Sequence, residues 1–535
     1  MEFRSIPRVK NASYGIDAAF SLPLTFSFDK YNDKAEVLIK LLFKTDACLN
    51  SDGVIKAKFD ESIKVKGGYK LKITEEKVFI AFGDYEGARN AVSEISNLLK
   101  IKGDKAYLPV CEFSDEPKMH HRGVMIDLAH EMPDKTRFKE DLLLMAKAKF
   151  NILHLHLIDK LGSAVKLSCL KEEMYIEGAY EVSEMKELIR LCECLGFEII
   201  PEYDTPGHSW KMTSVYPKLA CEPEKSELCK WAVCAGEDET YILAEKIIDE
   251  LCSIFPGEYF HIGGDELELG DLSPLKYACH WSECKKCKAL MKKENIADRQ
   301  DLYYFFMTRI SDMVKKNGKK VIMWSDQIDT EREVKLPSGI IYHFWRVAAP
   351  KRGPYINVSM NSQLKLGVKM INSHFPEVYL DVDYAYGRKE DETLENWIVD
   401  ERPYCDDEFK KNIMGSEVCA WGYGSENCPH YESSFPPILL MYGDKMWNND
   451  ILPVDDYYHE ELTRIILGFR TKENLDIFSC LGGAILPREG KKFPIENIKK
   501  DKAFILKTKN ILSETEGRLA KIYEKCLGEV LKEFN

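Results

Sequence analysis

From residue 118 to about 450 the sequence alternates a short apolar run with a longer amphipathic one, and the alternation recurs eight times. The strand-like runs are 124–128, 152–158, 198–203, 259–263, 321–324, 340–345, 369–373 and 413–421. Between them, stretches such as 135–149 and 183–195 set charged residues opposite an apolar stripe, the pattern of a helix with one buried face. Repeats of this kind build parallel sheets covered by helices. Eight in succession fit a closed (β/α)8 TIM barrel with insertions in its loops better than an open doubly wound sheet.

The flanks have a different texture. Residues 69–74 and 78–82 alternate apolar and polar positions around Glu75-Glu76, which predicts a strand hairpin. In 85–99, Ala88, Ala91, Val92, Ile95, Leu98 and Leu99 recur at helical spacing, so a helix is expected to lie on that sheet. A small α+β domain thus occupies 1–117 and ends at Asp115-Glu116-Pro117, where proline stops a strand. The barrel takes 118–450, and 451–535 reads as a C-terminal helical region with an amphipathic run over 500–534.

A net charge of -13 argues against nucleic acid or an anionic membrane surface as partner, since either calls for a basic face. A neutral substrate suits it. There is no run of about 18 apolar residues, and Met1-Glu2-Phe3-Arg4 lacks the apolar core of a signal peptide, so the expected location is cytoplasmic. The 17 cysteines are spread through core-like segments, which points to reduced thiols. One group is denser: Cys279, His280, Cys284 and Cys287 end in a C-x-x-C spacing that suits a structural zinc, the plain alternative being a cysteine-rich loop.

Polar and aromatic residues gather at the C-terminal ends of the proposed strands: Asp127, His156, Asp159, Glu202, Asp204, Asp326, Trp324, Trp345, His374 and Trp421. A barrel places all these ends around one mouth. Among them stands His261-Ile262-Gly263-Gly264-Asp265-Glu266. Neighbouring side chains on a strand point to opposite faces, so Asp265 and Glu266 share a pocket only if the backbone turns, and the two glycines permit that. Two adjacent carboxylates are ill placed to flank a glycosidic bond as acid and nucleophile, because a retaining pair stands about 5–5.5 Å apart on either side of the sugar. Substrate-assisted hydrolysis gives the pair unequal tasks. Glu266 protonates the leaving oxygen, the sugar's own 2-acetamido oxygen attacks the anomeric carbon, and Asp265 holds the acetamido N–H. The plain alternative is an Asp-Glu dipeptide on a solvated loop.

Arg122-Gly123, residues 154–159, Pro201 to His208 and His261 to Glu266 follow one another in an order that resembles glycoside hydrolase family 20, the β-N-acetylhexosaminidases. The resemblance implies a (β/α)8 barrel and a retaining, exo-acting hydrolase for terminal β-linked N-acetylhexosamine. Its substrate would be an oligosaccharide or glycoconjugate, and it would need no metal or organic cofactor. It implies Asp265 and Glu266 as catalytic residues, Asp159 and His208 as their supports, and Arg122, Trp324, Trp345, Tyr379, Asp381 and Trp421 as sugar contacts. Leu155, Lys160 and Tyr423 depart from the family's usual Trp, Asp and Glu. Those departures leave open a sugar-binding protein on a retired barrel, or an enzyme for a modified or disaccharide terminal unit.

Overall fold

The computed structural model describes residues 5–9, 11–221, 230–267, 281, 283–345, 359–374, 378–380, 405–424, 431–450, 456–468, 475–481, 498 and 500–534. Eight parallel strands follow one another: β1 His121–Asp127, β2 Ile152–Asp159, β3 Glu198–Tyr203, β4 Tyr259–His261, β5 Lys320–Trp324, β6 Ile341–Phe344, β7 Met370–Asn372 and β8 Ile413–Ala420. Each pairs with the next, and β1 also pairs with β8, which closes the barrel. Beyond its mouth end β2 turns into an antiparallel ladder, Ile158 opposite Ser163, that extends the rim.

The barrel interior is layered by the two-residue period of its strands. Ile152, Ile200, Ile322, Ile341 and Ile371 form one buried cluster, with Tyr259 and Met414 packed against it. This is a dry floor at the N-terminal end of the strands. Two residues further along, the inward positions are His154, Glu202, His261, Trp324 and His343, and after a register shift in β8 Glu417 joins them; all are buried. The odd positions of β2, Leu153, Leu155 and Leu157, belong instead to the main apolar core. Capping carboxylates set the helix starts after the strands: Asp134 accepts from the Arg137 N–H and Asp298 from the Asp301 N–H.

Ahead of the barrel, six strands order as Ala47–Leu49, Leu24–Phe28, Ile55–Phe59, Val78–Phe82, Tyr69–Ile73 and Cys111–Asp115. The expected hairpin is present, Tyr69 opposite Phe82 and Ile73 opposite Val78. Helix Tyr85–Leu98 lies on this sheet and against helix Lys135–Lys147 of the barrel. Its polar side is therefore buried as well as its apolar one. Arg89 donates through Nη1 to the Ala146 carbonyl at 3.0 Å, and Lys149 Nζ meets Glu94 at 2.7 Å. At the C-terminus the expected long run is two helices, Lys502–Ser513 and Arg518–Glu533, separated at Gly517, whose φ of 115° breaks a helix. They pack on each other, and Arg518 reaches Glu140 beside the barrel at 2.6 Å.

Candidate active site

The turn after β4 is shaped by its glycines. Gly263 and Gly264 have φ of 63° and 104°, and Glu266 itself has φ of 46°. A Cβ on Gly263 would lie 1.9 Å from Asp204 Oδ1, so no larger residue fits there. The bent backbone is then pinned from several sides: the Gly264 N–H donates to Asp204 Oδ1 (3.2 Å), the Tyr303 hydroxyl to the Gly264 carbonyl (2.8 Å), and the Glu266 N–H to Asp326 Oδ2 (3.1 Å). The Trp231 indole donates to the Glu266 carbonyl at 3.0 Å. The result brings both carboxylates to one imidazole. His208 Nε2 is 3.6 Å from Asp265 Oδ2 and 3.5 Å from Glu266 Oε2.

The two acids stand in unlike surroundings. The Asp265 side chain is 9% exposed and that of Glu266 33%, so Glu266 is the one that reaches the opening. Asp265 Oδ1 is buried with no hydrogen-bond partner among the described residues. Burial lifts the Asp265 carboxyl well above the usual range, and the Asp204, Asp326 and Glu266 charges add to this, while His208 opposes it.

His208 is held on its other side by Asp159, with Nδ1 to Oδ1 at 3.0 Å. Burial disfavours the imidazolium, yet Asp159, Asp204 and Asp265 outweigh it and keep His208 protonated well above its ordinary range. Asp159 in turn is held well below the carboxylate range: burial works against this, but His208 and His156 prevail. Asp204 is pushed up to about 7, first by burial and then by Glu202 and Asp159.

This site stands on a polar layer in which His156, Glu202, His261 and Trp324, singled out by the sequence pattern, meet His154, His343 and Glu417. His156 Nε2 lies 3.2 Å from Asp159, its Nδ1 bonds Glu202, and Glu202 also contacts His154, His261 and the Trp324 indole. Glu417 binds His121 at 2.5 Å and His154 at 2.9 Å. Burial opposes every one of these charges. The facing imidazoliums still hold Glu202 and Glu417 well below the carboxylate range, and the carboxylates lift His154 to about 9 and His156 well above 6.5. Two cations thus meet two anions, while burial holds His261 and His343 below their ordinary value. His130 is a further missed residue. It bridges Asp127 (2.8 Å) and Asp159 (3.3 Å) at the rim, three residues beyond the end of β1.

The aromatic residues form a partial arc. Trp345 stacks on Tyr379 with ring centroids 6.1 Å apart, Tyr379 stands 6.4 Å from Trp421, and Trp421 6.3 Å from Trp324. Trp324 is buried against His343 at 4.0 Å, so it sits deeper than the others. Asp381 lies outside the described residues.

Arg122 is not part of this mouth, which corrects its reading as a sugar contact. It lies near the start of β1, five residues or about 17 Å before Asp127 at 3.3 Å per residue. It is fully buried, and its donors are taken by the Lys149 and Met119 carbonyls and by Glu86 at 2.5 Å. Through Glu86 it fastens helix Tyr85–Leu98 to the barrel. Tyr423 also points elsewhere: it is buried, bonds Asp141, and lies under the Arg137 guanidinium at 4.5 Å. Leu155 belongs to the main apolar core, so of the three departures this one and Tyr423 lie away from the mouth.

Cys284 and Cys287 do come together with other thiols, but the partners are Cys221 and Cys234. Cys279 and His280 lie outside the described residues. No disulfide joins two of the described cysteines.

A closed parallel barrel with adjacent carboxylates, an imidazole and aromatic rings at its C-terminal mouth is of the enzyme-barrel class, with a lining that suits a sugar. The sequence comparison narrows this: residues 119–450 match the family described as "Glycosyl hydrolase family 20, catalytic domain", and the chain belongs to glycoside hydrolase family 20. Among curated relatives, a "Beta-hexosaminidase" of Akkermansia muciniphila is 26% identical over 60% of this chain and 66% of its own length. One of Porphyromonas gingivalis is 26% identical over 49% of this chain, which spans only 36% of that protein. The "Beta-hexosaminidase subunit beta" of Rattus norvegicus is 26% identical over 79% and 75%. In fold, the chain is similar to the chitobiase of Flavobacterium johnsoniae, with a TM-score of 0.71 and 20% identity over 99% of this chain and 92% of that one.

Proposed function

We propose that this chain is an exo-acting, retaining β-N-acetylhexosaminidase that removes terminal GlcNAc or GalNAc through the substrate's 2-acetamido group. The observation that carries the reading is the inequality of the two adjacent acids. Glu266 reaches the opening, whereas Asp265 is nearly buried and one of its oxygens has no hydrogen-bond partner among the described residues. That spare acceptor suits an amide N–H, and the names of the relatives point to the same class of substrate.

In this mechanism Glu266 gives its proton to the glycosidic oxygen as the acetamido carbonyl oxygen bonds to C1 and the C1–O bond breaks. The aglycone leaves as an alcohol. Asp265 takes up the positive charge that develops on the amide nitrogen, by accepting its N–H. Water then adds to C1, giving its proton to the Glu266 carboxylate and reopening the ring formed by the acetamido group. Two inversions leave the configuration retained. His208, fixed by Asp159, keeps both carboxylates in register. The arc of Trp345, Tyr379 and Trp421 offers apolar faces to the sugar's C–H surface.

The test is a panel of aryl β-glycosides with and without the 2-acetamido group. GlcNAc or GalNAc substrates are hydrolysed and plain glucosides are not, and an acetamido-mimicking thiazoline inhibits. Glu266→Gln lowers kcat by about 10²–10⁴ on poor leaving groups. Wild-type turnover by that variant, or a sugar trapped as an ester on a carboxylate of the protein, overturns the proposal.

A further inference from the structure

We propose that Cys221, Cys234, Cys284 and Cys287 hold one zinc ion as a four-thiolate centre, and that this centre braces the segment on which Glu266 rests. The four sulfur atoms lie within 4.8 Å of one another and all four residues are buried. Cys234 Sγ stands 3.6 Å from both Cys284 Sγ and Cys287 Sγ. A disulfide would bring sulfurs to about 2.05 Å. A tetrahedron of thiolates around zinc, with Zn–S of about 2.3 Å, has edges of about 3.8 Å. The spacing therefore suits a shared cation and excludes a bond between sulfurs.

The local chain favours thiolates there. Cys284 is the N-cap of helix Lys285–Glu294 and Cys287 lies in its first turn, where the helix dipole stabilises negative charge. The opposing strand of chain approaches closely because it has no side chain at one point: a Cβ on Gly236 would lie 2.3 Å from the Lys286 carbonyl carbon and 2.5 Å from the Cys287 nitrogen. Lys286 also meets Glu237 at 2.5 Å across the same contact. Each zinc bound displaces up to four thiol protons to solvent, so the centre is favoured as pH rises.

The segment leading into Cys234 is built into the active site. The Ser209 N–H donates to the Trp231 carbonyl and the Val233 N–H to the Pro206 carbonyl, both at 2.9 Å, which ties it to the loop of His208. Trp231 packs on the His208 ring at 4.6 Å and donates to the Glu266 carbonyl. From the other side the Trp281 indole donates to the Val233 carbonyl at 2.9 Å. A metal that fixes Cys234 against the 284–287 knuckle holds Trp231 behind Glu266. The metal assignment does not depend on which sugar the mouth accepts.

The full chain, purified without chelators, is to be analysed by plasma mass spectrometry, with about one zinc per chain expected. A mercurial titrant should release that zinc only as four otherwise unreactive thiols are consumed. Cobalt(II) put in its place should give intense thiolate charge-transfer bands. Cys234→Ser and Cys287→Ser should lose the metal, and stripping the wild-type chain should lower kcat by about 10²-fold, the scale of a slightly misplaced catalytic group. Because those variants risk misfolding, the wild-type measurements decide. Zinc well below stoichiometry with all four thiols freely reactive, or disulfides mapped among them, overturns the centre. Stoichiometric iron overturns the choice of zinc.

Discussion

His208 and Asp159 face each other at 3.0 Å, and Asp159 leans in turn on His156 at 3.2 Å and through it on Glu202. The support of the adjacent carboxylates Asp265 and Glu266 is therefore a relay of alternating charge that runs down into the barrel, not a single hydrogen bond.

Breaking that relay should show in pH dependence. His208 has its pKa raised in the folded protein, so its stabilising contribution is complete below about 6.5 and is lost as pH rises through the raised value. Asp159, depressed when folded, contributes above its unfolded pKa and is lost as pH falls through its folded one. Asp159→Asn removes the largest attraction acting on His208. The alkaline limbs of stability and of kcat/KM should both move down by about one pH unit or more. An unmoved limb, seen in pH profiles of variant and wild type, would remove His208 from the relay.

Arg122→Ala tests the corrected role of that residue. It strands Glu86 in the interior, which costs about 3–5 kcal/mol for a broken buried pair. Denaturant unfolding should show the loss while KM of the folded fraction stays at its wild-type value. A large rise in KM at unchanged stability would restore Arg122 to the sugar.

Tyr423→Phe leaves Asp141, whose carboxyl burial pushes up to about 6, without one of its donors. Stability should fall by about 1–3 kcal/mol with the ratio of GlcNAc to GalNAc turnover unchanged. A shift in that ratio would place the tyrosine at the sugar after all.

Gly264→Ala probes the bend itself. The added methyl meets Met307 Cε at 2.9 Å and the Tyr303 hydroxyl at 3.0 Å, on a backbone with φ of 104°. About 1–3 kcal/mol of strain is expected, together with a fall in kcat of about 10²-fold as the carboxylates shift. Wild-type kcat in the variant would mean that the bend does not set their position.

The eight strands were legible because each is a short apolar run that ends near polar or aromatic residues and is followed by a longer amphipathic stretch. The bend that brings Asp265 and Glu266 to one imidazole was legible because Gly263-Gly264 stand directly at the strand end. Arg122 was misread by motif. Its place at the start of β1 already put it at the end away from the mouth. The polar layer as a unit was hidden because its His and Glu residues are scattered singly or in pairs through apolar runs of β2, β3, β4, β6 and β8, and only closure of the barrel brings them together. The same holds for the cysteines: Cys284 and Cys287 were visible as a pair, but Cys221 and Cys234 join them from more than 40 residues away. Helix Tyr85–Leu98 looked amphipathic, yet its polar side found partners on the barrel rather than water.

The five isoleucines across the lower barrel have a consequence for traffic. With the buried His, Glu and Trp layer above them they plug the barrel, so whatever binds at the mouth must enter and leave by the same doorway. On the proposed reaction the freed terminal sugar would leave through the opening by which it came, and would compete there with the next chain end.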